Sequence, residues 1–350
     1  MTRAEWSGAV EQAAWIAERL SPFDSGEVTS VVPAGYEAYA RLLHPAEGLE
    51  GAPGVRWAQV AAWSGVALGP DTQFHELALP EHRPAAPAPW SGHGAAVGTL
   101  AAADLDALIE VLAEHTATAD SCWFCLWEGY GWDSNSRLIA TADEDPAAPA
   151  PGMADLDSAL DPVPPAVRAG PRVELPNRRH LLYRGPIAAA REFVGSHDQS
   201  PTLWWPADRA WCVATEIDLD WTYVGGPSGL IDRLVADQRV EAQRARAGDH
   251  HHLRVQPWLA RAIDRTTDEL FASGQATLHT WRGNLSAQLE RPRDDRDGFL
   301  RTRCEGEDPL TRPQSGSGWT RLHDHDPDGD ALRAAVTSAL TIRVIDSLIS

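Results

Sequence analysis

Apolar and polar residues recur along this chain with two different periods, which separate helical from extended segments. Apolar residues at helical spacing predict amphipathic helices over Ala4–Leu20, Asp104–His115 and Asp330–Ile349. Tyr36–Leu43 lies between two prolines, and we expect another short helix there, because proline favours helix starts and disfavours helix continuation.

Two stretches, Ser121–Trp132 and Trp211–Ile217, are apolar on both faces, a pattern typical of strands in the middle of a sheet. The second lies within Leu203–Gly229, which contains four of the fifteen tryptophans and ends in a glycine turn. We expect this segment to form the central hairpin. Helices and loops separate the strands irregularly, so the prediction is an α+β fold with a mixed or antiparallel sheet and flanking helices.

The composition changes after Asp249, and a domain boundary is predicted there. Residues 250–350 read as a helix, a meander of three strands and a final helix, which is an α-β-β-β-α module. Residues 1–249 are predicted to form the tryptophan-rich core domain. Its segment 143–166 is rich in proline and acidic residues and lacks aromatic ones, so it is predicted to be a poorly ordered insertion.

The chain contains no lysine, and all thirty basic residues are arginine. This excludes enzyme classes whose chemistry requires a lysine in the ordinary form of their site. A Walker A loop places a lysine on the phosphates, and a Schiff-base enzyme needs a lysine amine. A protein kinase needs a lysine on its third strand.

The formal net charge of −20 argues against nucleic acid or an anionic membrane surface as the partner. A protein partner or a small molecule, including a basic partner or a cationic ligand, is compatible with it. The first twenty residues carry charges where a signal peptide would be apolar, so a cytoplasmic protein is expected. We predict no cofactor and no metal site, and the sequence does not define the oligomeric state.

One candidate site is a group of carboxylates. If the strand at Trp211–Ile217 continues, Glu216, Asp218 and Asp220 alternate along it and share one face. Glu128 ends the other central strand and is a possible further member. Such a cluster could support hydrolysis by acid–base chemistry, with Glu216, Asp218 and Glu128 as the catalytic residues and with or without a divalent metal. The alternative is that these carboxylates are simply solvated.

A second candidate is a binding surface. Consecutive strand residues point to opposite faces, so one indole of the pair Trp204 and Trp205 is predicted to face outward. With Asp208 and Trp221 it would form an acidic, tryptophan-containing face of the kind that recognises a protein partner. The first hypothesis is therefore a non-enzymatic binding protein, and the alternative is the hydrolytic enzyme.

Three short motifs have simpler interpretations. Cys122 and Cys125 have the spacing of half a zinc site, but a strand would point them apart, so they are predicted to pack in the core. The glycines of Gly225–Gly229 could cradle a phosphate or form an ordinary turn. Asp324–Asp330 matches the start of a calcium loop but lacks its final glutamate.

Residues 20–245 resemble an uncharacterised tryptophan-rich family of high-GC bacteria, and the resemblance implies no activity. It rests on four blocks: VVPAGYEAYARLLHPA (31–46), SCWFCLWEGYG (121–131), LPNRRHLLYRGP (175–186) and LWWPADRAWCVATEID…TYVGG (203–226). The chain is also similar to immunity-type proteins that neutralise bacterial toxins. That likeness rests on the tyrosines that follow Pro33 and on the tryptophan-rich strands, and it implies recognition of a protein partner.

Overall fold

The computed structural model describes residues 3–49, 52–129, 164–197, 199–280, 283–290, 298–306, 317–322 and 329–349. Almost all of the predicted insertion 143–166 and of the calcium-like segment 324–330 lies outside these ranges. The strands are β1 Glu5–Trp6, β2 Ala38–Leu43, β3 Ala46–Gly48, β4 Trp90–Ala95, β5 Cys122–Trp127, β6 Val173–Leu175, β7 Arg178–Gly185, β8 Leu203–Pro206, β9 Cys212–Ala214, β10 Trp221–Gly226, β11 Ala242–Ala245, β12 Gln275–Thr280, β13 Gly283–Glu290, β14 Gly298–Gly306 and β15 Ser317–Leu322. The α-helices are α1 Ala14–Ala17, α2 Trp57–Ser64, α3 Phe74–Ala78, α4 Ala102–Ala113, α5 Pro165–Arg168, α6 Ala190–His197, α7 Ser228–Ala236, α8 Pro257–Ser273 and α9 Gly329–Ile349.

The chain divides into two compact units, and both are discontinuous in sequence. The first comprises residues 1–44 and 96–251, and the second comprises 45–95 and 252–350. The sequence placed 45–95 in the first domain, whereas the structure joins it to the C-terminal segment. Its contacts explain this: α9 packs against α3 and β4, and the Gln73 amide bonds the carbonyl of His252 at 2.8 Å and the backbone N–H of Arg254 at 3.1 Å.

The first unit contains a sheet of nine strands in the described chain, in the order β1-β7-β5-β8-β9-β10-β2-β11 with β6 beside β7. All of the strand pairs are antiparallel. The α+β fold class with an antiparallel sheet is confirmed. Strands β8, β9 and β10, which come from Leu203–Gly229, lie in the middle, so the predicted central position of that segment is confirmed as well.

One face of this sheet is covered by α4, α6 and α7. Phe124 of β5, Trp204 of β8 and Val224 of β10 point to this side and pack with Leu108 and Leu234 of the helices. The indole N–H of Trp211 reaches the carbonyl of Leu112 at the end of α4, at 3.1 Å. The helix predicted over Asp104–His115 is thus confirmed as α4, and it holds the main hydrophobic core.

The other face of the sheet is crossed by residues 10–32, which form short turns of 3-10 helix and α1. Trp15 of this segment packs edge-on against Trp205 of β8, with ring centroids 6.0 Å apart. The long helix predicted over Ala4–Leu20 is wrong, because Glu5 and Trp6 pair with β7 at the sheet edge.

The segment Tyr36–Leu43 is a strand, not the predicted helix. Residues 38–43 pair with β10 on one side and with β11 on the other. Ala40 and Leu42 face the helices, while Tyr39 and Arg41 face the opposite side, and all four are buried. Burial on both faces removes the polar alternation that would have indicated a strand.

The second unit contains a four-stranded antiparallel sheet in the order β12-β13-β14-β15 and a two-stranded ribbon of β3 and β4. Helices α8 and α9 pack against each other and against the larger sheet. The predicted helix, meander and final helix are present, with β15 as one more strand than the sequence indicated.

Candidate functional site

A partly open cavity lies on the face of the first unit's sheet that residues 10–32 cross. About 360 Å³ of space free of protein atoms lies in it and in the open solvent at its mouth. Its apolar wall comes from Leu20, Phe23 and Val31 of the crossing segment and from Leu203 and Ala214 of the sheet. The cavity exists because short turns, instead of a continuous helix, cover this part of the sheet.

The polar wall of the cavity contains an ion pair between the first residue of β7 and the turn after β9. Arg178 donates to Glu216 Oε1 from Nε at 3.1 Å and from Nη2 at 2.8 Å. The same Nη2 lies 2.7 Å from Oδ2 of Asp218. Glu216 is nearly buried, with 11% of its side chain exposed, whereas Asp218 is 72% exposed. Burial raises the pKa of Glu216, and Arg178 opposes that rise.

His180 follows Arg178 by two positions, so both side chains lie on the same face of β7. The residue is 2% exposed and lines the cavity. Within the described part of the chain its Nδ1 has no hydrogen-bond partner. Burial, assisted by the charge of Arg178, lowers the pKa of His180 to about 3, so the ring is neutral at pH 7. The cavity therefore holds a buried neutral imidazole with an unused nitrogen.

Thr202 also lines the cavity, and its side chain contributes a buried hydroxyl group. Its Oγ1 accepts a bond from the backbone N–H of Trp127 at 3.2 Å, so the hydroxyl proton stays available to another acceptor. The guanidinium of Arg178 lies 5.2 Å from the ring centroid of Phe23 and 5.6 Å from that of Trp127. Both rings are within the distance of a cation–π contact, and these contacts restrain the guanidinium at the polar wall.

The structure brings Glu216 and Asp218 together but not Glu128. Glu128 forms ion pairs with Arg172, at 2.7 Å, and with Arg179, at 3.0 Å. Arg179 precedes His180 on β7, so it points to the opposite face of the sheet from the cavity. The predicted cluster of three catalytic carboxylates is thus divided between two faces.

The expected alternation of Glu216, Asp218 and Asp220 along one strand is wrong, because β9 ends at Ala214 and these residues form the turn before β10. Burial raises the pKa of Asp220 to about 6 against the lowering effect of nearby Arg41. Asp220 is not among the residues that line the cavity.

The predicted tryptophan-containing surface is wrong. Trp204, Trp205 and Trp221 are 0%, 1% and 3% exposed, so none of these indoles reaches solvent. Both faces of the sheet are covered at β8, and the outward indole packs under Trp15. Asp208 is exposed, but its carboxylate is occupied by the hydroxyl of Thr116 and the backbone N–H of Ala117, both at 2.8 Å. It therefore organises a turn.

The remaining sequence motifs have structural roles. Cys122 and Cys125 are free and buried, which confirms core packing, and burial raises the pKa of Cys122 to about 12. At the glycine turn, the backbone N–H of Ser228 donates to the carboxylate of Glu37 at 3.0 Å, so an acidic side chain stands where a phosphate would bind. Across the described ranges, no three His, Cys, Asp or Glu side chains are grouped so that they could hold a metal ion.

Arg178 and His180 were missed by the sequence reasoning. The run Asn-Arg-Arg-His at 177–180 places two cations and an imidazole at the start of a strand, which is the one local signal for them. The cavity also draws on residues near positions 20–31, 202 and 214–216, and only the fold brings these together.

No helix in the described chain has both the length and the apolar character needed to cross a bilayer. Comparison with protein-family models, with curated proteins and with solved structures finds no match for this chain. The geometry of the cavity is therefore the basis for a functional assignment.

Proposed function

We propose that this protein is a non-enzymatic binding protein whose first unit binds a small polar molecule in the cavity at His180. The observation that carries the proposal is the buried Nδ1 of His180, which has no hydrogen-bond partner among the described residues. A buried polar atom without a partner costs about 1–3 kcal/mol, and a ligand that supplies the missing bond removes this cost.

The cavity has the composition of a ligand site. Its apolar side chains provide contact area, and a few polar groups at fixed positions provide orientation. His180 is in β7 and Thr202 directly precedes β8, and both of these strands pair with β5, so the sheet supports both side chains.

The other two hypotheses have less support. Recognition of a protein, as in immunity-type proteins, depended on exposed indoles at Trp204, Trp205 and Trp221, and these are buried. A hydrolase depended on convergence of Glu216, Asp218 and Glu128, but Glu128 is paired with arginines on the other face of the sheet. The exposed Asp218 and the nearly buried Glu216 share Arg178, an arrangement that also serves a structural role.

Nuclear magnetic resonance of the histidine side chains tests the proposal. Small polar molecules of cationic, neutral and anionic type are titrated to about 10 mM while the ring nitrogen signals are recorded. We expect members of at least one type to shift the signals of His180 and to leave those of the exposed His279 unchanged. If no molecule of any type shifts His180, the proposal is wrong.

A further inference from the structure

The charges around the cavity define the class of ligand it accepts. Arg178 carries one positive charge and is bonded to two carboxylates, so these three groups together carry one net negative charge; Glu216 lines the cavity, whereas Asp218 is 72% exposed and lies outside the lining. Its Nη1 is engaged as well, by the backbone carbonyl of Asn177 at 3.1 Å. The guanidinium therefore has little capacity left for an anionic ligand, whose charge the carboxylates would repel.

His180 does not change this balance. Its ring is buried beside Arg178 and is neutral at pH 7, so it adds no positive charge. In the neutral ring, one nitrogen accepts a hydrogen bond and the other donates. Among the described residues that line the cavity, only Arg178, Glu216 and His180 are titratable.

The apolar wall completes the set of contacts. Leu20, Val31 and Leu203 surround the space next to the charged groups. A ligand with a charged head and a short hydrocarbon stem would bury its stem there, and the head would face the polar wall. The negative charge of the whole chain, −20, favours the approach of cations to the cavity.

We propose that the ligand is a small organic cation with an ammonium group that donates to the carboxylate of Glu216 and to Nδ1 of His180. The alkyl stem lies against Leu20, Val31 and Leu203. This inference rests on the proposed function and names the ligand class of the same cavity.

The test uses three probes of matched shape, butylammonium, butan-1-ol and butanoate, each titrated into the full-length protein at pH 7.5. The ring nitrogen signals of His180 report binding. We expect butylammonium to bind at least ten-fold more tightly than butan-1-ol, and butanoate to leave the His180 signals unshifted. Equal binding of the neutral probe, or tighter binding of the anion, overturns the cation assignment but retains the cavity as a binding site. If none of the probes shifts the signals, the cation assignment fails, and the proposed function is then decided by the wider set of molecules.

Variants test whether Glu216 is the group that makes the cavity prefer a cationic ligand. Glu216→Gln keeps the shape of the side chain and removes its charge, so we expect at least a ten-fold loss of butylammonium affinity and unchanged affinity for butan-1-ol. Glu174→Gln is the matched control, because the Glu174 side chain is 77% exposed on neighbouring β6 and does not line the cavity. If Glu216→Gln does not fold, Asp218→Asn removes the exposed charge instead, and a two- to three-fold loss is expected. Unchanged butylammonium affinity in the folded variant contradicts the assignment.

Discussion

Arg178 and Glu216 are separated by 38 positions in sequence, yet Nη2 of the arginine lies 2.8 Å from Oε1 of the glutamate. The pair joins the start of an outer strand to the turn after a central one. Both side chains are mostly buried, with 17% and 11% of their surfaces exposed. Removing one partner of such a pair leaves the other charge in the interior, which is costly.

Replacing Arg178 with methionine should therefore lower the free energy of unfolding by about 2–4 kcal/mol at pH 7.5. The loss should be smaller at pH 5. Burial already raises the pKa of Glu216, and the charge of Arg178 opposes that rise. Without the guanidinium the pKa of Glu216 rises further, so its carboxyl takes up a proton in the folded state. Urea denaturation at the two pH values measures both effects.

The control for this variant is Arg191→Met, whose arginine pairs with Asp106 while both side chains are 40–50% exposed. Its effect should stay below about 1 kcal/mol, as for other surface ion pairs. A loss for Arg178→Met that is equally small, or one that does not depend on pH, would contradict the account.

Because the cavity lies on one face of the first unit's sheet, we expect a larger side chain to be tolerated on that face and to destabilise the protein on the other. Ala214 and Ala40 are both buried in strands, at 3% and 0% exposure. Ala214 lines the cavity, so Ala214→Leu has space for its added atoms and should leave the midpoint of thermal unfolding unchanged or raise it. Ala40 packs against the helices, so Ala40→Leu should cost about 1–3 kcal/mol. Equal destabilisation by the two variants, measured by thermal unfolding, would show that the cavity closes in solution.

Gly225 in β10 and Gly229 in α7 should respond in opposite directions to replacement by alanine. A Cβ at Gly225 would lie 2.6 Å from Cδ2 of Tyr36 and 3.0 Å from Cε1 of Tyr39, so Gly225→Ala should cost about 1–3 kcal/mol. A Cβ at Gly229 would meet no atom within 4 Å, and the residue is in α7. Gly229→Ala should therefore stabilise the protein by up to about 1 kcal/mol. Chemical denaturation of both variants checks the prediction, and the same sign for both would refute it.

Asp220 should make the folded protein more stable at acidic pH than at neutral pH. Burial raises the pKa of Asp220 in the folded state to about 6 from an ordinary value of 3.8. A carboxyl with a raised pKa contributes stability that is fully present below pH 3.8 and is lost as the pH rises through 6. Asp220→Asn resembles the protonated form, so it should match the wild type near pH 4 and exceed it by about 1–3 kcal/mol at pH 8.

This comparison requires denaturation curves for both proteins at several pH values between 4 and 8. Asp106→Asn, at a side chain that is 50% exposed, is the control and should change the free energy of unfolding by less than about 1 kcal/mol. A variant that is less stable than the wild type at pH 8 would mean that ionised Asp220 is needed by Arg41.

The sequence predicts the elements in which burial produces a recognisable pattern of apolar residues. Helix α4 has apolar residues on one face only, and its prediction is confirmed. Strand β5 is apolar throughout, and its central place in the sheet is confirmed as well. Tyr36–Leu43 is mis-assigned because alanine and leucine favour helix locally, while pairing with residues nearly two hundred positions away decides the outcome.

The candidate site is less accessible to sequence reasoning. Glu216 and Asp218 were identified from their spacing, but their common partner Arg178 belongs to another strand. His180 has an unremarkable sequence context, and only its burial without a partner for Nδ1 marks it. Trp204 and Trp205 were predicted to lie on opposite faces, as they do, yet no sequence pattern shows that segment 10–32 covers the second face.

The position of β2 between β10 and β11 has a consequence for how the protein is made. Ribosomes add about 5–20 residues per second, so the partners of β2 emerge on the order of 10–40 s after β2 itself. During that interval Tyr39, Leu42 and their neighbours belong to a nascent chain without the strands that bury them. Until those partners are made, the apolar residues of β2 lack the strands that bury them, and such transiently exposed surface is prone to aggregation.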